Sequence, residues 1–315
     1  MRKSTKLLLG IGAVIATPVI INHVIAKKAD ERMDKKNKEG LLDEYDVYNW
    51  EYGDIRYKTA GEGKPLLLLH GLYPGASGME WELVMEHLVK NHKVYVPDLL
   101  GFGYSSKPAL DYCGYLFVRL IKDFTENVIG KPVIAVASLH TAAALASCAA
   151  LNPEDFEKIV MVPPTGLETE TPLAQDEDSL LKKVLESPIL GTSFYNAVCS
   201  KKALTELYVE EGFMGEEFIN DANLEKIYLA AHADRASGKY ALAALFGKFF
   251  NTDIKETIAQ LEMPYGIIVG DGLPKHDGLG IYTGIDNRYE IQIVEGAGLL
   301  PHTKNPKHFC DLFFA

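Results

Sequence analysis

Cysteine is scarce and badly placed for metal chemistry. Cys113, Cys148, Cys199 and Cys310 are the only four in 315 residues, and none falls at metal-ligand spacing. Buried free thiols are the expected state for Cys148 and Cys310, which lie in apolar or helical settings. Such thiols lean towards a reducing compartment. Positive charge is also in deficit. The chain carries 32 Lys and Arg against 43 Asp and Glu, a formal net charge of −11, so it offers nucleic acid no basic footprint. There are no internal repeats and no glycine-rich phosphate cradle; Gly61-Glu62-Gly63 reads as a turn. No cofactor and no metal are therefore expected. What is present is apolar mass, 47% of residues, enough to bury a substantial core.

Only one apolar stretch is long and nearly uncharged, Leu7 to Ala26. As a helix it would be about 30 Å long, enough to cross a bilayer. Pro18 is tolerable in such a helix, and Asn22 and His23 could reach the interface at one end. The rival reading is a cleaved signal peptide with Arg2, Lys3 and Lys6 as its basic region. Lys27 and Lys28, directly after Val24-Ile25-Ala26, make cleavage unattractive. An uncleaved anchor in the lipid bilayer through residues 7–26 is expected, with Lys27 to Glu39 a solvated, charge-dense linker. Residues 1–40 then form anchor and linker, and residues 41–315 the globular part. Lys27, Lys28, Arg32, Lys35, Lys36 and Lys38 follow the run, against three basic residues before it. By the positive-inside rule the globular part stays cytoplasmic.

Beyond Tyr48 the pattern alternates strands and helices. An antiparallel hairpin is expected over Tyr48–Thr59 around Gly53-Asp54, followed by strands at Leu66–Leu69, Val94–Val96, Val133–Ala137, Ile159–Val162, Tyr265–Val269 and Tyr289–Val294. Helices are expected near Glu80–Lys90, Tyr115–Val128, Thr141–Leu151 and Pro306–Phe313. Continuously apolar strands separated by helices indicate an α/β fold, a mostly parallel sheet covered on both faces. Residues 164–260 form a long insertion of helical pattern. Ile189–Tyr195 and Tyr240–Phe246 within it could line an apolar pocket, although aromatics at helical spacing more often serve as core.

Three stretches carry chemistry-like signals: His70-Gly71 after the run Pro65–Leu69, Asp98-Leu-Leu-Gly-Phe-Gly-Tyr-Ser-Ser-Lys-Pro108, and Gly296-Ala-Gly-Leu-Leu-Pro-His302. In that order they resemble the α/β-hydrolase superfamily, whose nucleophile, acid and histidine follow in the same chain order. The resemblance spans nearly all of residues 48–315 and implies an α/β-hydrolase fold with a helical cap at about 164–260, behind an N-terminal transmembrane helix. Carried over position by position, the triad roles fall on Leu139, Leu273 and Leu299. The nucleophile elbow needs small neighbours two residues to either side. Ala137 and Thr141 meet that need around position 139, whereas Val136 and His140 around Ser138 do not. Asp271 and Asp277 flank Leu273 as displaced acids or solvated turn residues. The resemblance implies a Pro-His pair beside the catalytic histidine, so His302, after Pro301, does not replace it. Gly71, with Leu72 or Tyr73, would supply part of the family's oxyanion hole.

Leucine neither attacks nor accepts a proton, and removing a serine triad costs on the order of a million-fold in turnover. The leading expectation is a degenerate, membrane-anchored hydrolase homologue that binds a small apolar ligand or a protein partner. The alternatives are an active hydrolase of ester-like or other small apolar substrates using displaced groups (Ser138, His140, Asp271 or His302), and a purely structural membrane protein.

Overall fold

The computed structural model describes residues 2–168, 171–210, 213–214, 218–272, 282 and 291–314; the side chains of residues 2–16, 210 and 314 are not described. Among these residues one eight-stranded sheet runs in the order β1-β2-β4-β3-β5-β6-β7-β8. Its strands are β1 Asp46–Trp50, β2 Gly53–Ala60, β3 Lys64–Leu69, β4 His92–Pro97, β5 Val133–Ser138, β6 Phe156–Pro164, β7 Tyr265–Gly270 and β8 Ile291–Val294. β1 and β2 are the antiparallel hairpin, β2 pairs antiparallel with β4, and every other pairing is parallel.

The sheet is a wall with apolar side chains alternating to either side, as a period of two requires. Leu67 and Leu69 of β3, with Ala135 and Ala137 of β5, join the larger core cluster. Leu66, Leu68 and Val136 join a second cluster with Trp81, Phe309 and Phe313. The second cluster is closed by helices α2, Glu82–Leu88, and α11, Pro306–Phe314. The larger one is closed by α3, Gly114–Phe124, and α4, Leu139–Leu151. Both faces are therefore buried, which is why the strands read as unbroken apolar runs.

Between β6 and β7 lies the cap, built from α5 Asp176–Glu186, α6 Leu190–Val198, α7 Lys201–Thr205, α8 Asp221–Ala231, α9 Lys239–Phe246 and α10 Lys255–Ala259. α5 opens with a capping box between Gln175 and Asp178 and carries three acids in its first turn, a favourable pattern at a helix N-terminus. Gly191 could not be another residue, because a Cβ there would stand 1.9 Å from the Leu185 carbonyl oxygen.

The N-terminus differs from expectation. A single helix, α1, runs Arg2–Lys38, with Pro18 inside it. Its second half is docked rather than free. Ala29 is 1% exposed and Met33 8%, and Met33 packs with Tyr104, Leu229 and Ala230. Asn22 donates to Ser193 Oγ at 3.0 Å and accepts from Asn196 Nδ2 at 3.0 Å on α6. Asp30–Arg235 and Arg32–Glu225 add ion pairs. The charged segment expected as a solvated linker thus presents one small apolar stripe to the cap and its charges elsewhere. Among the described residues no helix is long and apolar enough to cross a membrane, so the expected transmembrane helix finds no support there.

Candidate functional site

The junction of β5 and α4 is where the chemistry of such a scaffold would sit. Ser138 ends β5 in an extended conformation, with φ −109° and ψ 146°. Leu139 follows at φ 54°, a left-handed conformation that costs a branched residue about 1–2 kcal/mol. The sharp elbow is therefore present, with leucine at its centre. The Leu139 side chain is 7% exposed and lies over Gly71, where a Cβ would stand 3.0 Å from Leu139 Cδ1. Leu299 is partly buried against the same core cluster that contains Leu139. Leu273 and Asp277 lie outside the described residues.

Strand parity decides the direction of Ser138. It lies two residues after Val136, so it shares that residue's face and points toward the second cluster. There its hydroxyl donates to Glu80 Oε1 at 2.5 Å. The Glu80 carboxylate is fully enclosed. Its Oε2 accepts the Gly71 N–H at 2.8 Å and the Tyr73 hydroxyl at 2.8 Å. His302 Nε2 stands 3.4 Å from Oε1, with no exposed side-chain surface on either partner. The imidazole is stacked on Trp81, with centroids 4.1 Å apart and planes 16° apart. Burial alone would push the Glu80 carboxyl up; the His302 ring, the Ser138 hydroxyl and the His70 ring outweigh it and hold the carboxyl below its ordinary value.

This cluster is not a triad in another register. In a triad the imidazole stands between hydroxyl and carboxylate and removes the hydroxyl proton. Here the carboxylate stands between hydroxyl and imidazole. Ser138 is 0% exposed and His302 0%, so a substrate carbonyl has no approach to the hydroxyl. The arrangement ties three segments together instead: the loop after β3, the elbow, and the loop before α11. Glu80 was missed in sequence because an acid at the start of an expected helix reads as an ordinary first-turn residue. The neighbouring Trp81 and the Gly71–Tyr73 loop were the available signals.

The remaining candidates are braces. His70 Nε2 accepts the Leu99 N–H at 2.9 Å, and Nδ1 lies 2.7 Å from the Gly71 carbonyl. These two contacts select the tautomer protonated at Nδ1, and burial lowers the pKa of the ring. Asp98 accepts the Gly78 and Tyr104 N–H groups at 2.7 Å each. Gly103, at φ 52°, is needed there because a Cβ would fall 2.1 Å from the Asp98 carboxyl carbon. Leu72 and Tyr73 are buried, at 2% and 4% exposure. Asp271 is exposed and accepts the Gly296 N–H at 2.7 Å, bracing a turn. His140 Nε2 stands 3.0 Å from Asn251 Oδ1 of the cap, and burial lowers its pKa. Phe213 descends from the cap onto this region: its ring meets Tyr73 edge-on at 4.8 Å, and its carbonyl accepts the Leu300 N–H at 3.1 Å. Among the described residues no group of three or more His, Cys, Asp or Glu could hold a metal.

The comparisons with known proteins agree on the scaffold. The model of the alpha/beta hydrolase family matches residues 66–311. The 2-hydroxy-6-oxo-6-(2'-aminophenyl)hexa-2,4-dienoic acid hydrolase of Metapseudomonas resinovorans is 33% identical over 120 residues, 37% of this chain and 41% of that one. The 2-hydroxymuconate semialdehyde hydrolase of Pseudomonas sp. (strain CF600) is 49% identical over 51 residues, 16% of this chain and 18% of that one. This chain thus spans less than half the length of these curated relatives. The crystal structure of a serine hydrolase involved in carbazole degradation superposes with a TM-score of 0.68 at 21% identity, covering 86% of this chain and 96% of that one. That of a membrane phospholipase A superposes with a TM-score of 0.66 at 20% identity, covering 98% and 97%. At such identities these two likenesses carry the fold alone. The chain belongs to the alpha/beta hydrolase family.

Proposed function

We propose that this protein is a catalytically silent member of its family, held at a membrane by α1, that binds an apolar ligand or a protein partner instead of hydrolysing a substrate. The observation that carries the reading is the elbow: it keeps its left-handed centre, yet leucine occupies it and the adjacent Ser138 turns away to a buried carboxylate. Leu139, Leu273 and Leu299 are the triad-equivalent positions in this reading. Gly71, Leu72 and Tyr73 remain as an oxyanion-type loop with no nucleophile to serve. A bound ligand would meet leucine and aromatic side chains there, which favours apolar over charged molecules.

The anchor is supported by the apolar run Leu7–Ala26. The excess of Lys and Arg after the run favours a cytoplasmic globular part. One observation favours a second reading, an active hydrolase of small apolar esters: the 2.5 Å bond from Ser138 to Glu80 would suit a hydroxyl activated by a carboxylate base. Turnover of short p-nitrophenyl esters by the full chain in detergent separates the two. The silent reading expects no rate above that of the Ser138→Ala variant. Turnover in the parent that disappears in Ser138→Ala would establish the displaced-site enzyme.

A further inference from the structure

Most of the large apolar side chains exposed among the described residues lie on α1 and on the cap, not scattered over the domain. On α1, Ile20 is 61% exposed and Ile21 51%, with Val19 and Val24 beside them. On α6, Leu190 is 65% exposed and Phe194 36%; they are four residues apart and so share one outward stripe. Phe194 meets Phe246 of α9 edge-on at 5.3 Å, and Leu180 and Val184 of the adjoining α5 are likewise exposed. A monomeric protein rarely leaves a contiguous apolar patch of this kind uncovered.

The length of α1 indicates what covers it. Asn22 is hydrogen bonded to α6, so the apolar residues ahead of it, 7–21, span about 22 Å as a helix, short of the ~30 Å hydrocarbon core. The bilayer must then extend past Asn22 on the outer side, to the depth of Val24 and of the α6 stripe docked beside it. Lys27 and Lys28 follow at once on α1, where an interface would have them. We propose that the cap face formed by α5, α6 and the end of α9 docks into the lipid interface beside α1, so that the protein lies on the membrane by its cap rather than standing off on a stalk. This rests on the anchoring reading above. With a net charge of −11, docking is by apolar burial and needs no anionic lipid.

The test uses the full chain in zwitterionic phosphatidylcholine vesicles, with and without bromine on the acyl chains. Leu190→Trp and Phe194→Trp are read separately, and Leu151→Trp, at the end of α4 remote from the elbow, is the exposed control. The parent sets the background, since its Trp50 and Trp81 are buried. Both cap tryptophans should shift to shorter wavelength on vesicles and lose emission to bromine, while Leu151→Trp does neither. Vesicle flotation reads the anchor independently. A chain that floats but whose cap tryptophans bromine leaves untouched overturns the docking while keeping the anchor. A blue shift without bromine quenching points to a second copy covering the patch, and overturns it too. A chain that does not float removes the anchor and the docking together.

Discussion

At Leu139 two demands conflict. The left-handed backbone costs a non-glycine residue about 1–3 kcal/mol, while burying a leucine side chain contributes ~1.5–3 kcal/mol. Packing roughly offsets the strain, which explains how an elbow can persist without a nucleophile. The balance has a testable sign. Leu139→Ala should lose about 2–5 kcal/mol of stability in urea unfolding. Leu139→Gly should cost less than Leu139→Ala, because glycine adopts φ 54° freely. In an unstrained helix glycine would instead be worse than alanine by about 1 kcal/mol, and that order would refute a strained elbow. Glu80 carries a different kind of stake. Removing its carboxylate leaves the Gly71 N–H, the Tyr73 hydroxyl and the His302 ring facing an enclosed void. Glu80→Ala should cost about 3–5 kcal/mol, more than Ser138→Ala, which deletes one donor and should cost about 1–3 kcal/mol.

Among the elements, β5 and α1 teach opposite lessons. β5 was legible because a strand buried on both faces is written as a continuous apolar run. Its parity also settles Ser138, since the face is fixed once Ala137 is assigned to the other side. The helix after it begins two residues earlier than its apolar pattern suggests, because the elbow folds Leu139 and His140 into the first turn. In α1 only the helical state of the apolar half was legible, and its crossing of a bilayer finds no support among the described residues. Among residues 27–38 only Ala29 and Met33 are buried, and two small contacts four residues apart give no periodic signal above a background of charge. Their docking predicts a protease pattern. Trypsin should cut slowly at Lys27, Lys28, Lys35 and Lys36 in the parent and quickly in Met33→Asp, which places a charge against Tyr104 and Leu229. Equal cleavage rates in the two proteins would mean that this helix is not held against the cap.

For the molecule as a whole, buried ionisable groups set the dependence of stability on pH. Burial lowers the pKa of His70 below its ordinary 6.5, and those of His140 and His232 in the same direction. Below that pH the unfolded chain takes up protons that the folded one refuses, so the contribution of these rings is full above about pH 6.5 and falls as pH falls. Glu80, held below its ordinary 4.5, extends the loss at lower pH, because its contribution is present above that value and vanishes as the carboxylate protonates. Urea midpoints should therefore decline from pH 7 toward pH 4, and a flat profile would contradict the buried, neutral state of these rings. The scaffold was readable because its motifs are architectural: Asp98, Gly103 and His70 brace loops in this chain. At the site, the sequence shows leucine at position 139 without saying what Ser138 does. That depended on Glu80, which no spacing rule brings opposite the elbow. In the silent reading no activated hydroxyl remains at this junction, and intact-mass spectrometry of the full chain after exposure to a fluorophosphonate tests this directly. An unmodified mass is expected, whereas a single adduct mapping to Ser138 would show an activated hydroxyl there.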